Sequence, residues 1–145
     1  MDLEQALTIS ASGLDAQKTR LNTIASNIAN VNSTRSNNGG PYRRLDVIFS
    51  AAPMPESSPS TAVPSASDAP QGVEVSRIVP DLGPFKRVYE PQHPDADLDG
   101  FVSYPNVSPM EEMVNMLSAL RSYEANVTAM NATKSMATKA LEIGQ

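Results

Sequence analysis

The N-terminal stretch MDLEQALTISASGLDAQKTRLNTIASNIANVN, residues 1–32, carries the pattern that decides the fold. One series of large apolar residues recurs at seven-residue intervals: Leu7, Leu14, Leu21 and Ile28. A second series lies in the neighbouring register: Leu3, Ile24 and Val31. This spacing is typical of a helix that packs against other helices. Ser10 and Gln17 interrupt the second series, and Gly13 costs about 1 kcal/mol relative to Ala inside a helix. We therefore expect a helix that depends on a partner surface.

The C-terminal stretch, residues 107–144, repeats the pattern more strongly. One seven-residue series is Met113, Leu120, Val127, Lys134 and Leu141, and the other is Met116, Tyr123, Met130 and Ala137. Its start is marked by Ser108 as a cap, Pro109 at the first helical position and Glu111 three residues after the cap. Gly144 is a suitable terminator. The pattern predicts a second long helix, which could pair with the first helix or with neighbouring molecules.

Between the helices, the sequence predicts a small antiparallel β unit. Four short segments are partly alternating and rich in β-branched or aromatic residues: 42–49, 72–79, 87–90 and 101–104. Residues 51–70 interrupt them, and Pro, Ser and Ala fill fifteen of those twenty positions. Such a segment buries too little apolar surface to offset its ordering entropy, so we expect a disordered loop. The predicted fold class is α+β, with an N-terminal helical part (1–34), a β-rich insert (35–106) and a C-terminal helical part (107–145).

Composition and charge argue against several classes of protein. The net charge is −5, and the basic residues are scattered, whereas a nucleic-acid surface needs clustered cations. The chain has no cysteine, which excludes disulfides and thiolate metal sites. No apolar run reaches the length of a membrane span. Asp2 and Glu4 stand where a secretory signal would be basic, so we expect any export to use another route.

The stretch HPDADLDG, residues 93–100, is the main candidate for chemistry. Asp95, Asp97, Asp99 and Gly100 match the opening half of a calcium loop, which makes the three carboxylates a weak metal candidate. Position twelve of such a loop would be Asn106, which offers one neutral oxygen in place of a bidentate carboxylate. A solvated turn is the better interpretation. The lone histidine has no nucleophile context, so we expect no catalytic residue, no cofactor and no enzyme activity.

Three stretches together resemble one family. SGLDAQKTRLNTIASNIANVNST, residues 12–34, is similar to the N-terminal signature of bacterial flagellar axial proteins, which include rod, hook and hook-associated proteins. GGPYRRLDVIF, residues 39–49, resembles the variant found in the proximal rod members of that family. Residues 89–145 resemble the end of the same members. There His93, Asp95 and Gly100 match a shared turn before the C-terminal helix, which we interpret as a turn built on Asx-type local hydrogen bonds.

The resemblance implies a structural subunit of the proximal rod in the flagellar basal body. Such proteins form a drive shaft that transmits torque from the motor membrane ring to the distal rod and hook across the periplasm. The flagellar type III system exports them without a cleaved signal peptide, and their terminal helices assemble as coiled coils into a helical tube. The implied partners are other rod proteins, the membrane ring and export gate, the distal rod and further copies of the chain, with no nucleic acid and no membrane insertion.

The two heptad patterns and the axial motif define the expected subunit interface. It comprises Leu3, Leu7, Leu14, Leu21, Ile24, Ala25, Ser26, Asn27, Ile28, Ala29, Asn30, Val31, Met113, Met116, Leu120, Tyr123, Val127, Met130, Ala137 and Leu141. The Asn residues could fix the register of helix pairing by hydrogen bonding, or they could cap the end of a helix. The alternatives to a proximal rod subunit are another flagellar axial protein, a calcium-binding module, and a coiled-coil adaptor or export chaperone.

Overall fold

The computed structural model describes residues 3–36, 39–53 and 71–143. Its elements, in chain order, are α1 (Leu3–Ala29), β1 (Leu45–Pro53), β2 (Gln71–Pro80), β3 (Lys86–Tyr89), β4 (Phe101–Tyr104) and α2 (Pro109–Ile143). The predicted α+β class is confirmed, because a long helix stands at each end and short antiparallel strands lie between them. Most of the predicted disordered loop, residues 54–70, lies outside the described residues. Within those residues, neither helix is long and apolar enough to cross a membrane.

The helix boundaries follow local signals. α2 begins at Pro109, and the amide of Glu112 donates to the carbonyl of Ser108 at 3.0 Å, which closes the first turn. α1 ends at Ala29, earlier than the predicted residue 32. At that end the backbone amide and the side chain of Asn30 both donate to the carbonyl of Ser26, at 3.1 and 2.9 Å. Of the two roles considered for the Asn residues, capping the end of a helix is the one that fits Asn30. The predicted terminator Gly144 lies outside the described residues.

The strands form two separate sheets instead of one β unit. β1 pairs with β2, and β3 pairs with β4, both antiparallel. β1 starts at Leu45 and continues through residues 51–53, which the sequence assigned to the loop. These residues are strand because they pair with the start of β2, with Ala51 opposite Val73 and Pro53 opposite Gln71. Residues 42–44 are not strand, because their hydrogen bonds are directed to other partners, described below.

The buried residues between α1 and α2 are mostly small or polar. They include Ala16, Thr23, Ile24 and Asn27 on α1 and Glu112, Ala119 and Thr133 on α2. At Gly13, an added Cβ would lie 2.9 Å from the side-chain nitrogen of Asn126, so the helices approach closely there. The buried α2 series, with Asn126, is one residue earlier than the predicted series of Met113, Leu120, Val127, Lys134 and Leu141. Of the two pairings that the sequence left open, the series of largest apolar residues is therefore not the one buried against α1.

Candidate assembly interface

The side chain of Asn27 connects the end of α1 to the segment before β1. Its Oδ1 accepts hydrogen bonds from the Leu45 amide at 2.9 Å and from the Tyr42 hydroxyl at 3.0 Å. Its Nδ2 donates to the Leu45 carbonyl at 2.8 Å and to Glu112 Oε2 at 2.9 Å. A primary amide offers two donors and one oxygen with two lone pairs, so every hydrogen-bonding position of this buried side chain is filled. We call Asn27, Tyr42, Arg44, Leu45 and Glu112 the Asn27 cluster.

Glu112 is a fully buried carboxylate with a charged partner. Arg44 Nε donates to Glu112 Oε1 at 2.8 Å, and the Arg44 side chain is only 20% exposed. Burial alone would lower the pKa of Arg44, but the hydrogen bond and charge of Glu112 outweigh it and raise the pKa. Burial, with the nearby charge of Glu112, raises the pKa of Tyr42, which keeps its hydroxyl protonated as a donor to Asn27. Removing one partner of such a buried ion pair costs about 3–5 kcal/mol.

A second set of hydrogen bonds fixes the strands beside this cluster. Asn106, just before α2, accepts from the Arg44 amide at 3.0 Å and donates to the Asp81 carbonyl at 3.3 Å. The Asp81 amide donates to the Arg44 carbonyl at 2.8 Å, and Arg43 donates to the Asp81 carbonyl at 3.1 Å. The end of α1, the strands and the start of α2 are thus joined through polar contacts at one place.

The opposite side of α2 carries an apolar stripe that the described part of the chain does not cover. Its members are Met110, Met113, Val114, Leu117 and Leu120, which we call the outer α2 stripe. Met110 is 73% exposed, Val114 64% and Leu117 57%. At 3.6 residues per turn, this stripe is centred about 180° from the buried series that begins at Glu112. The first turns of α2 therefore present Glu112 and Ala119 to their own chain and the outer α2 stripe outward. Such a patch marks an interaction surface.

The HPDADLDG stretch forms a turn whose carboxylates point to different partners. Asp95 accepts from the Thr34 hydroxyl at 2.7 Å and pairs with Arg35, whereas Asp97 lies 3.6 Å from Arg87. The Thr34 hydrogen bond, followed by the charge of Arg35, lowers the pKa of Asp95 against the effect of desolvation. No group of three or more His, Cys, Asp or Glu residues that could hold a metal occurs among the described residues.

The turn itself is as predicted, but the hydrogen bonds described within it are not of the predicted Asx type. The Gly100 amide donates to the Asp97 carbonyl at 2.8 Å, and the Ala96 amide donates to the His93 carbonyl at 3.0 Å. The one local side-chain bond is the Asp95 amide donating to His93 Nδ1 at 3.1 Å. The Asp95 carboxylate instead reaches the segment after α1, because Thr34 and Arg35 offer it a donor and a charge.

Known protein families match both ends of this chain. A family model described as flagella basal body rod protein matches residues 7–35, and one described as flagellar basal body rod FlgEFG protein C-terminal matches residues 98–143. The flagellar basal-body rod protein FlgC of Bacillus subtilis strain 168 is 48% identical over 145 residues, which cover 97% of each chain. FlgC of Salmonella typhimurium is 41% identical over the whole of both chains. The chain belongs to the FlgC family of flagellar basal-body rod proteins.

Membership of the FlgC family confirms the resemblance seen in the sequence and the predicted role as a structural protein of the basal-body rod. FlgC of Borreliella burgdorferi is also similar, at 42% identity over 100% of this chain and 99% of its own. The match over residues 98–143 contains α2 with Glu112, and the match over residues 7–35 covers α1 from Leu7 onward with Asn27. Tyr42, Arg44 and Leu45, which connect these two residues, lie in the segment that neither model covers.

The residues expected at subunit interfaces fall into three groups in the structure. Ile24 and Asn27 are buried within the chain. Partly exposed are Leu7, Leu14, Leu21, Ile28, Asn30, Val31, Met116, Tyr123, Val127, Met130 and Ala137. Exposed are Leu3, Ala25, Ser26, Ala29, Met113, Leu120 and Leu141. Sequence reasoning missed Val114 and Leu117, although Met110, Met113, Val114 and Leu117 show the i, i+3, i+4, i+7 spacing of one helix face.

Proposed function

We propose that this chain is a subunit of the proximal part of the flagellar rod and assembles with its neighbours through α1 and α2. The observation that supports this best is the outer α2 stripe, because its large apolar side chains face away from the rest of the chain. In this proposal, residues 1–34 and 107–145 are the axial parts and residues 35–106 are the outer part. The exposed and partly exposed residues of the expected interface then join the outer α2 stripe in contacts between subunits.

The mechanical role follows from how rigidly each part is held. Contacts between different patches of identical or related subunits, repeated with an open rotation, generate a helical tube. Densely packed side chains transmit strain because they have few voids into which to yield. In the proposed rod, torque received by α2 from a neighbour passes to α1 and to the strands through the Asn27 cluster. The cluster suits this task because its buried hydrogen bonds join all three parts.

The finer features of the proposal come from the family resemblance. The chain passes the flagellar type III export gate without a cleaved signal peptide and occupies the periplasm-spanning rod. Its partners there are other rod proteins, the motor membrane ring, the distal rod and further copies of itself. The chain has no catalytic role in this proposal.

The proposal is tested with Leu117→Gln, supplied as the only copy of the chain in cells. Burying a polar amide at an apolar contact without a hydrogen-bond partner costs about 1–3 kcal/mol per contact, and the contact repeats in every subunit. We expect Leu117→Gln to leave the stability of the purified chain unchanged and to reduce the number of hook-bearing basal bodies. The matched control is Ser118→Gln, which places the same side chain on the adjacent exposed position and should assemble normally.

Two outcomes would contradict the proposal. One is a normal number of hook-bearing basal bodies with Leu117→Gln. The other is the absence of the wild-type chain from isolated basal bodies that carry hooks, which is the result expected of a soluble adaptor or export chaperone.

A further inference from the structure

The turn before β4 holds an apolar side chain fully in solvent. Leu98 is 108% exposed, and it lies between Asp97 and Asp99. The turn is firmly held: the Gly100 amide donates to the Asp97 carbonyl at 2.8 Å, and the Asp97 amide donates to the Phe101 carbonyl at 2.9 Å. Gly100 has φ +80°, and an added Cβ there would lie 2.8 Å from the Tyr89 ring. Leu98 is therefore a preordered apolar projection with an acidic residue on each side.

A separate surface of the same chain offers a pocket of matching chemistry. It is open, has a volume of about 740 Å³, and is lined by Pro41, Tyr42, Arg43, Leu45, Pro80 and Phe85 among others. The volume is ample for a branched aliphatic side chain and its neighbours. The guanidinium of Arg43 lies over the Phe85 ring, 4.3 Å from its centre, so the cation stacks on the aromatic side chain of the pocket. The pocket thus combines an apolar wall with one positive charge.

The charges of Asp99 and Arg43 are complementary, and neither residue forms an ion pair within the part of the chain that the structure describes. Arg43 donates only to the backbone carbonyls of Asp81 and Gly83, and it makes no ion pair with any carboxylate in the described ranges. Asp99 likewise makes no ion pair there, whereas Asp97 is 3.6 Å from Arg87. With a net charge of −5, two copies repel each other overall, so a local pairing of opposite charges is needed to orient them.

We propose that Leu98 of one copy seats in the Phe85 pocket of a second copy, with Asp99 of the first copy facing Arg43 of the second. The inference rests on the proposed function, since it requires neighbouring copies in one assembly. The two surfaces differ, so the contact is heterologous and adds copies in one direction. It also reaches the Asn27 cluster, because the Tyr42 ring lines the pocket while its hydroxyl donates to Asn27 at 3.0 Å.

Disulfide cross-linking tests this contact cleanly, because the chain has no cysteine of its own. Leu98→Cys and Phe85→Cys chains are co-expressed as the only copies, and isolated basal bodies are oxidised. We expect a disulfide dimer about tenfold more abundant than with either variant alone, since only the mixed pair is brought to a high effective concentration. In the matched control, a Leu82→Cys chain takes the place of the Leu98→Cys chain. Leu82 is 84% exposed, and its pairing with Phe85→Cys should give no such increase.

Several results would overturn the inference. They are equal dimer yields from the mixed and single variants, a strong dimer from Leu98→Cys alone, and an equal yield with the Leu82→Cys control. Adding Asp99→Lys to the Leu98→Cys chain should lower the yield severalfold, and an unchanged yield would exclude the pairing with Arg43.

Failure of the proposed function would be seen separately, as absence of the wild-type chain from basal bodies that carry hooks. The same mixture of purified variants, oxidised at high protein concentration, gives a second measurement that does not depend on incorporation. In either sample a dimer specific to the mixed pair supports the docking contact, and its absence from basal bodies that contain both variants overturns it.

Discussion

The side-chain amide of Asn27 donates to Glu112 Oε2 at 2.9 Å, and both residues are fully buried. The two residues are separated by 85 positions in the sequence and belong to the two helices at opposite ends of the chain. Because Glu112 also accepts from Arg44 at 2.8 Å, the bond places the ends of the chain and the segment before β1 in one fixed arrangement.

Asn27→Ala should destabilise the isolated chain strongly. The substitution leaves the Leu45 backbone groups, the Tyr42 hydroxyl and one oxygen of Glu112 without their partner, and each unsatisfied buried group costs about 1–3 kcal/mol. We expect a loss of about 3 kcal/mol or more in the free energy of unfolding, measured by urea denaturation. Asn30→Ala is the matched control, and its loss should stay near 1 kcal/mol, roughly that of one exposed cap. Equal losses for the two variants would contradict the role of Asn27.

Glu112→Ala should remove the ion pair while leaving Arg44 in place. The remaining partly buried guanidinium then loses its main acceptor, so we expect a loss of about 3–5 kcal/mol in the free energy of unfolding. Glu111→Ala, which changes the exposed carboxylate next to it, should alter this free energy by less than about 0.5 kcal/mol. Urea denaturation of both variants checks the prediction, and a loss for Glu112→Ala as small as that for Glu111→Ala would refute it.

Gly13 and Asn126 should be energetically coupled. Ala at position 13 gains about 1 kcal/mol of helix propensity, but its Cβ would lie 2.9 Å from the Asn126 side-chain nitrogen. We expect Gly13→Ala to stabilise the chain more in an Asn126→Ala background than in the wild type, by about 0.5–1 kcal/mol. A double-mutant cycle by thermal or urea unfolding measures this coupling. Strict additivity would show that the two helices do not approach closely at this point.

Thr34→Val should raise the pKa of Asp95. The Thr34 hydrogen bond is the largest cause of the lowered pKa, with the charge of Arg35 contributing further. Because the folded-state pKa is depressed, the ionised carboxylate stabilises the fold above its unfolded value of 3.8, and this contribution is lost as the pH falls through the folded pKa. Carboxyl-carbon NMR titration should therefore show a rise towards 3.8 in Thr34→Val. Ser33→Ala serves as the control and should leave the titration of Asp95 unchanged.

The sequence predicts the helices and most of the strands because their signals are local. Ser108 and Pro109 define the start of α2 within a few residues, and residues 101–104 form β4 as expected. The pairing of residues 51–53 could not be predicted, because it depends on partners beyond a long segment rich in Pro, Ser and Ala. The division of the strands into two sheets could not be predicted for a similar reason, since alternation identifies strands but not their partners.

The candidate site is less accessible to sequence reasoning than the fold. The axial motif drew attention to Asn27, but its partners Tyr42, Leu45 and Glu112 lie 15, 18 and 85 positions away. No periodicity identifies a buried glutamate as a helix-contact residue, because burial of a charge depends on a partner such as Arg44. The spacing of the outer α2 stripe is visible in the sequence. The heptad series chosen from the sequence included Met113 and Leu120 of this stripe but left out Met110, Val114 and Leu117.

Burial of the outer α2 stripe by neighbouring subunits is tested most directly by the thiol reactivity of Leu117→Cys, the single cysteine in an otherwise cysteine-free chain. The free chain should react rapidly with a maleimide, because Leu117 is 57% exposed. In isolated basal bodies the reaction should slow by at least about tenfold, as for a side chain in a close-packed contact. Ala119→Cys, at a buried position, should react slowly in both samples. Equally rapid labelling of Leu117→Cys in basal bodies that contain the chain would contradict assembly through this face.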